Sequence, residues 1–179
     1  MNDFIINSKP IQIAITGPES TGKSQLASGL ANYFGGNFVK EYAREYMNKL
    51  SGAYTRKDIL TIARQQLGIM EAGLTSSKRG YLFYDTEFTV LRIWSEYKYG
   101  ECDPWIVDRQ QDQAFDLYLL AGIDLPWQPD PQREHPDNRQ ELFDLYEKEL
   151  LRQGWDYEIV TGRGKERLEN AIRFIKSRY

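Results

Sequence analysis

The fold is decided by residues 11–24, Ile11-Gln12-Ile13-Ala14-Ile15-Thr16-Gly17-Pro18-Glu19-Ser20-Thr21-Gly22-Lys23-Ser24. The first six are rich in β-branched residues and stop at Gly17-Pro18, which predicts a strand running into a turn. From Lys23 onward the period lengthens. Leu26, Ala27, Leu30, Ala31 and Phe34 share one helical face, and Gly35-Gly36 supplies a C-terminal stop. Between strand and helix lies the pattern Gly-x-x-x-x-Gly-Lys-Ser. Gly17 and Gly22 let the backbone turn with no side chain in the way, so that successive N–H groups and the helix N-terminus point at phosphate oxygens. Lys23 is expected to reach the β- and γ-phosphates of ATP. Ser24 is expected to offer its hydroxyl to Mg²⁺, a cation that prefers oxygen ligands. Glu19, Ser20, Thr21 and Gln25 complete the expected ATP contacts. The plain alternative is a Gly-rich turn with a solvated lysine; the flanking strand and helix argue against it.

Working outward, a short strand is expected over Asn37 to Lys40 and a helix from about Tyr42. A longer helix runs from Thr55 to roughly Ser76, with Ile59, Ile62, Ala63, Gln66, Leu67 and Met70 on one face. Tyr81 to Asp85 reads as a buried strand, Thr86 toward Tyr97 as helix, and Phe115 to Leu120 as strand. Pro126, Pro129, Pro131 and Pro136 make 125–138 a long polar loop. A helix over Arg139 to Arg152, a strand over Tyr157 to Thr161, the turn Gly162-Arg163-Gly164 and a closing helix follow. Alternating strands and helices predict an α/β fold, a P-loop NTPase-type three-layer sandwich with about five parallel strands and helices on both faces.

The chain has 179 residues, 41% of them hydrophobic, enough for one substantial core and one expected domain over 1–179. A formal charge of -3 gives no long-range attraction to polyanions, so a nucleic-acid partner is not expected. No apolar run approaches the roughly 18 residues that span a bilayer, and Met1-Asn2-Asp3-Phe4 has no basic flank leading into a signal-like stretch, so a cytoplasmic protein without membrane contact is expected. Cys102 and His135 are single. They exclude an internal disulfide and a cysteine-rich metal site, and leave a Ser-His-Asp triad only one histidine in a Pro-rich loop.

A P-loop alone does not separate kinases from GTPases or motor ATPases. No Asn-Lys-x-Asp is present to read guanine, no Asp-x-x-Gly follows Asp85, and there is no room for the helical domain of a hexameric ATPase. A small phosphotransferase with its own acceptor pocket fits best. Its chemistry should gather at the carboxyl ends of the strands. Asp85 there has the form of a magnesium-holding acid, or of a helix cap. Glu41 in Glu41-Tyr42-Ala43-Arg44-Glu45 could accept a proton from an alcohol, or face a helix dipole as a first-turn acid. Arg44 could pair with phosphate or with Glu45.

Together with Gln66, Tyr84-Asp85-Thr86-Glu87-Phe88, Trp127, Asp130, Arg133 and Arg139, these motifs resemble the ribosylnicotinamide kinase family, as in the kinase domain of the bacterial bifunctional NAD-biosynthesis regulator. The resemblance covers nearly the whole chain. It implies transfer of the ATP γ-phosphate to the 5'-hydroxyl of nicotinamide riboside, giving nicotinamide mononucleotide. Those relatives carry an adenylyltransferase domain ahead of the kinase, and their lid reads Asp-Gly-x-Arg where this chain has Asp130-Pro131-Gln132-Arg133.

Nicotinamide riboside is a pyridinium cation, for which Glu41, Tyr42, Asp85, Glu87 and Trp94 could provide carboxylates and aromatic faces. Tyr42 and Trp94 could equally be packing residues. Gln66 could read the amide of the base or serve as a hydrogen-bonded interior residue. Residues 125–139 are the expected lid, with Arg133 and Arg139 placed to neutralise phosphoryl charge, or simply exposed in weak ion pairs. Gly162, after the last strand, is placed like an adenine-side loop or is only a turn. A kinase for another nucleoside or small alcohol, and an ATP-binding sensor with little turnover, remain the alternatives.

Overall fold

The computed structural model describes residues 9–179. Five strands, β1 (Ile11–Thr16), β2 (Asn37–Val39), β3 (Tyr81–Tyr84), β4 (Leu117–Ala121) and β5 (Tyr157–Val160), form one parallel sheet in the order β2-β3-β1-β4-β5. The helices are α1 (Lys23–Phe34), α2 (Ala43–Lys49), α3 (Arg56–Ser76), α4 (Phe88–Tyr99), α5 (Pro104–Asp112), α6 (Arg139–Gln153) and α7 (Lys165–Lys176).

β1 is the central strand. Ile13 pairs with Phe83 on one side and Leu117 on the other. Because side chains alternate along a strand, the two faces separate residue by residue. Ile13, Ile15, Phe83, Leu117 and Leu119 pack under α1 and α7 with Leu26, Leu30, Ala171 and Ile175. Leu82 and Tyr84 face the α3–α5 side, with Ile59, Ile62, Leu91 and Ile106. Ala14, Tyr118 and Leu120 meet Ile93, Leu142, Tyr146 and Leu150 from α4 and α6. Both faces are therefore buried, which is why these strands read as continuous apolar runs rather than as alternating ones.

The strand and helix expectations hold to within a few residues, with two differences. Sequence reading leaves 98–114 without an element, whereas α5 occupies Pro104–Asp112. Its start is a local signal: the Asp103 carboxylate accepts from Trp105 N (3.0 Å), and Pro104 fits the first helical position. Residue Thr86 lies outside α4, because Glu87 rather than Asp85 is its cap. α3 is entered through a capping box of Thr55 and Asp58.

The α1–β2 connection passes close to the start of β3. A Cβ on Gly36 would lie 2.5 Å from the Tyr81 backbone oxygen, whereas one on Gly68, within α3, would meet open space. Gly36→Ala should therefore cost about 1–3 kcal/mol of unfolding free energy. Gly68→Ala should gain roughly 0.5–1 kcal/mol from helix propensity. Urea denaturation of both variants measures the contrast.

Candidate active site

Beyond β1 the chain turns at Gly17, whose φ of +125° suits glycine and whose Cβ would sit 3.1 Å from the Ala121 backbone oxygen. Gly22 caps α1 in the left-handed region, and Ser20 is the one non-glycine with positive φ among the described residues. The Thr21 hydroxyl braces the loop by donating to Pro18 O (2.8 Å). Lys23 Nζ donates to Gly17 O (2.8 Å) and Pro18 O (2.7 Å), folding the ammonium across the loop it belongs to. Burial pulls its pKa down, while the charges of Glu41, Asp85 and Glu19 pull it back up.

Asp85 follows β3 and is 4% exposed. Burial pushes its carboxyl up to about 6, against a hydrogen bond from the Ser24 side chain. Its Oδ1 is buried with no partner. A hydroxyl beside an unfilled carboxylate oxygen, next to a backbone cradle with no room for side chains at Gly17, is a donor set that fits Mg²⁺ with phosphate. Glu41, beyond β2, also has its pKa raised by burial, opposed by the nearby Lys23 and Arg44 charges.

Three expected ligand residues have other work. Gln66 is fully buried; its Oε1 accepts from Tyr42 N (2.8 Å) and its Nε2 donates to Lys40 O (3.1 Å). Both amide atoms are spent on the backbone on either side of Glu41, so the structure does not bring Gln66 to a ligand. Glu87 is likewise fully buried. It accepts from Thr16 Oγ1 (2.8 Å), Thr89 N (2.6 Å) and Gln113 Nε2 (2.6 Å), tying the start of α4 to the end of β1. Tyr42 packs near Tyr46 (6.2 Å between centroids) and lines a separate groove with Phe38, Lys40 and Ile69.

The loop after β4 lies against the P-loop. Gln128 N donates to Ser20 Oγ (2.9 Å), while Glu19 accepts from Glu134 N (3.0 Å) and His135 N (3.2 Å). Arg133 donates to Ser20 Oγ (3.3 Å) and to Gln128 O. Arg139 is committed to backbone oxygens of Leu125 (2.8 Å), Ile123 (3.2 Å) and Ser20 (3.3 Å), which makes it the bracket of this loop rather than a free cation. Asp130 pairs with Arg44 of α2 (2.9 Å). Gly162 N donates to Asp124 Oδ2 (2.7 Å), joining the loops after β4 and β5.

These elements enclose a cavity of about 520 Å³. Residues 17–25, Glu41, Arg44, Trp94 and Arg133 line it together. Tyr42, Gln66, Glu87, Arg139 and Gly162 do not, and Asp85 is reached only through Ser24. Sequence reasoning missed Val90, Ile93 and Tyr97 on α4 and Leu142 and Tyr146 on α6. Their helical spacing was visible, but periodicity cannot tell a face turned to a cavity from one turned to the core.

The family model described as AAA domain matches residues 12–167. The trifunctional NAD biosynthesis/regulator protein NadR of Escherichia coli is 30% identical over 125 residues, covering 68% of this chain and 30% of that protein. The chain thus spans less than a third of the length of the curated relative it matches. Two crystal structures of NadR superpose on it. The one in complex with NAD and AMP-PNP has a TM-score of 0.76 at 22% identity, covering 94% of this chain and 49% of that one. The one in complex with NR has a TM-score of 0.75 at 21% identity, covering 94% and 50%. The chain is homologous to part of NadR, and its fold is shared with P-loop kinases. Among the described residues, no helix is long and apolar enough to cross a membrane.

The Asp85 environment makes a pH-dependent prediction. Folding raises this pKa from 3.8 to about 6, so the ionised carboxylate destabilises the metal-free fold, fully above the folded value and not at all below the unfolded one. Asp85→Asn should raise Tm more at pH 8 than at pH 5, in the presence of a chelator. Equal effects at the two pH values would contradict it.

Proposed function

The chain belongs to the AAA domain family, and we propose that it is an ATP-dependent kinase that phosphorylates the 5'-hydroxyl of nicotinamide riboside, giving nicotinamide mononucleotide. The observation that carries this reading is the meeting, in one cavity, of the P-loop lysine with the Glu41 carboxylate from the neighbouring edge of the sheet. A nucleotide-binding cradle alone would need no second carboxylate facing its lysine. The bound ligand called NR in a NadR structure, read here as nicotinamide riboside, supports the acceptor. So do Glu19, Glu41, Trp94 and Tyr97 around the same space, since carboxylates and aromatic faces suit a pyridinium cation. Cation–π contacts of this kind contribute about 0.5–2 kcal/mol.

In this reading the domain spans 1–179, works in the cytoplasm, and uses the 125–139 loop as its lid. The P-loop amides and Lys23 hold the ATP phosphates. Ser24 and Asp85 would hold Mg²⁺, which when bound neutralises charge on the β- and γ-phosphates. Glu41 accepts the proton of the 5'-hydroxyl as its oxygen forms a bond to the γ-phosphorus. The bond from that phosphorus to the bridging oxygen breaks, and ADP leaves. A carboxyl whose pKa burial has raised is a better base than an exposed one. Arg133, already beside Ser20, stabilises charge on the transferring group as the loop closes. Glu87 and Gln66 act on this site only by holding β1 and the Glu41 backbone.

With ATP and Mg²⁺, nicotinamide riboside should show a higher kcat/KM than uridine, cytidine or adenosine, with the products read by mass. A neutral nucleoside ahead by tenfold would point to a different acceptor for the same chemistry, and binding without any product would point to a sensor. The two carboxylates should then separate by Mg²⁺ titration of the initial rate. Glu41→Gln should lower kcat roughly 10²- to 10⁴-fold with no rescue by extra Mg²⁺. Asp85→Asn should need more Mg²⁺ and be partly rescued by it. The reverse pattern would exchange the two roles.

A further inference from the structure

The wall of the cavity formed by α4 and α6 carries three aromatic residues with polar tips: Trp94, Tyr97 and Tyr146. Two are already satisfied within the protein. Trp94 Nε1 donates to the Tyr54 hydroxyl (2.8 Å), and the Tyr97 hydroxyl donates to Glu141 (2.7 Å). Tyr146 is different. It is only 5% exposed and sits in the apolar cluster of Ile93 and Leu142, yet among the described residues its hydroxyl makes no hydrogen bond. That hydroxyl is nevertheless not one of the enclosed polar atoms left without a partner, so it is the part of the residue that stays open, and the space it opens to is the cavity that the same residue lines.

Ligand pockets combine apolar walls with a few placed polar groups that orient what they bind. On the Tyr146 wall those apolar residues are Val90, Ile93 and Leu142. Resting on the reading of this cavity as a nucleoside site, we infer that the Tyr146 hydroxyl donates a hydrogen bond to the bound nucleoside and so helps to determine which nucleoside is accepted. Donation is the role its surroundings favour. Burial and the charges of Glu87, Glu19 and Glu41 keep the phenol protonated, and those carboxylates leave an incoming hydroxyl or carbonyl oxygen as the group that needs a neutral donor. Tyr118 provides a contrast. Its hydroxyl is fully enclosed and unpartnered, its ring stacks on Trp155 (4.7 Å between centroids), and it does not line the cavity.

The test is calorimetric binding of nicotinamide riboside and of AMP-PNP to the full chain and to Tyr146→Phe and Tyr118→Phe, with Tm measured alongside. Losing one neutral hydrogen bond should weaken nicotinamide riboside binding about 3- to 10-fold in Tyr146→Phe. AMP-PNP affinity should stay unchanged and Tm should not fall. Tyr118→Phe should bind both ligands like the wild type. Unchanged nicotinamide riboside affinity in Tyr146→Phe, or equal losses in the two variants, would overturn the inference. Because binding is read without turnover, a wild type that binds nicotinamide riboside but does not phosphorylate it would remove the kinase reading and still decide this one by the ratio of affinities. A wild type that binds no nucleoside at all would overturn both.

Discussion

The contact on which the site depends is the close passage of the Gly17 backbone against Ala121 at the end of β4. β1 is hydrogen-bonded on both edges, so the chain cannot leave the sheet sideways. It leaves in the one direction open, over the carboxyl ends of the strands, where a side chain at Gly17 would meet the β4 backbone. That confinement makes the following residues curl into a loop whose N–H groups converge, and it starts α1 at Lys23 with its dipole aimed into the same space. The loop is a consequence of burying a central strand.

Around that turn the fold collects ionisable groups it would elsewhere exclude. Lys23, Glu41, Asp85 and Glu87 all have pKa values displaced by burial toward the neutral form. They differ in how they are satisfied. Glu87 accepts three hydrogen bonds and acts as a strut. Asp85 keeps one oxygen unfilled, and Glu41 answers chiefly to the charges of Lys23 and Arg44. Buried charge left incompletely paired is the mark of a working site, because the missing partner is a ligand.

The loop after β4 is held by a different kind of bond. Its contacts to Glu19 and Ser20 are two hydrogen bonds to each of these P-loop side chains, and its pairing of Asp130 with Arg44 is partly exposed. Such links are individually weak and exchange readily with water or phosphate. Arg139 is the exception, anchored to three backbone oxygens at the base of the loop. A firm root with loosely held upper contacts suits the lid role proposed for this loop.

Much of this was written locally. The strand before Gly17, the face of α1, the stop at Gly35 and the proline-rich loop rest on interactions between residues at most a few positions apart, and such interactions leave periodicities and turn residues that sequence displays. The expected fold class and the P-loop were legible for that reason, as were the positions of Glu41 and Asp85 after their strands. What the sequence could not decide is which polar atoms are already spent. Gln66 looks like a ligand until its amide is found holding the backbone around Glu41, and Glu87 until it is found bonded to Thr16, 71 residues away. Nor can helical spacing say whether Tyr146 faces core or cavity. Those assignments depend on hydrogen bonds and packing between distant segments, which exist only once the sheet has assembled, so the tertiary structure alone decides them.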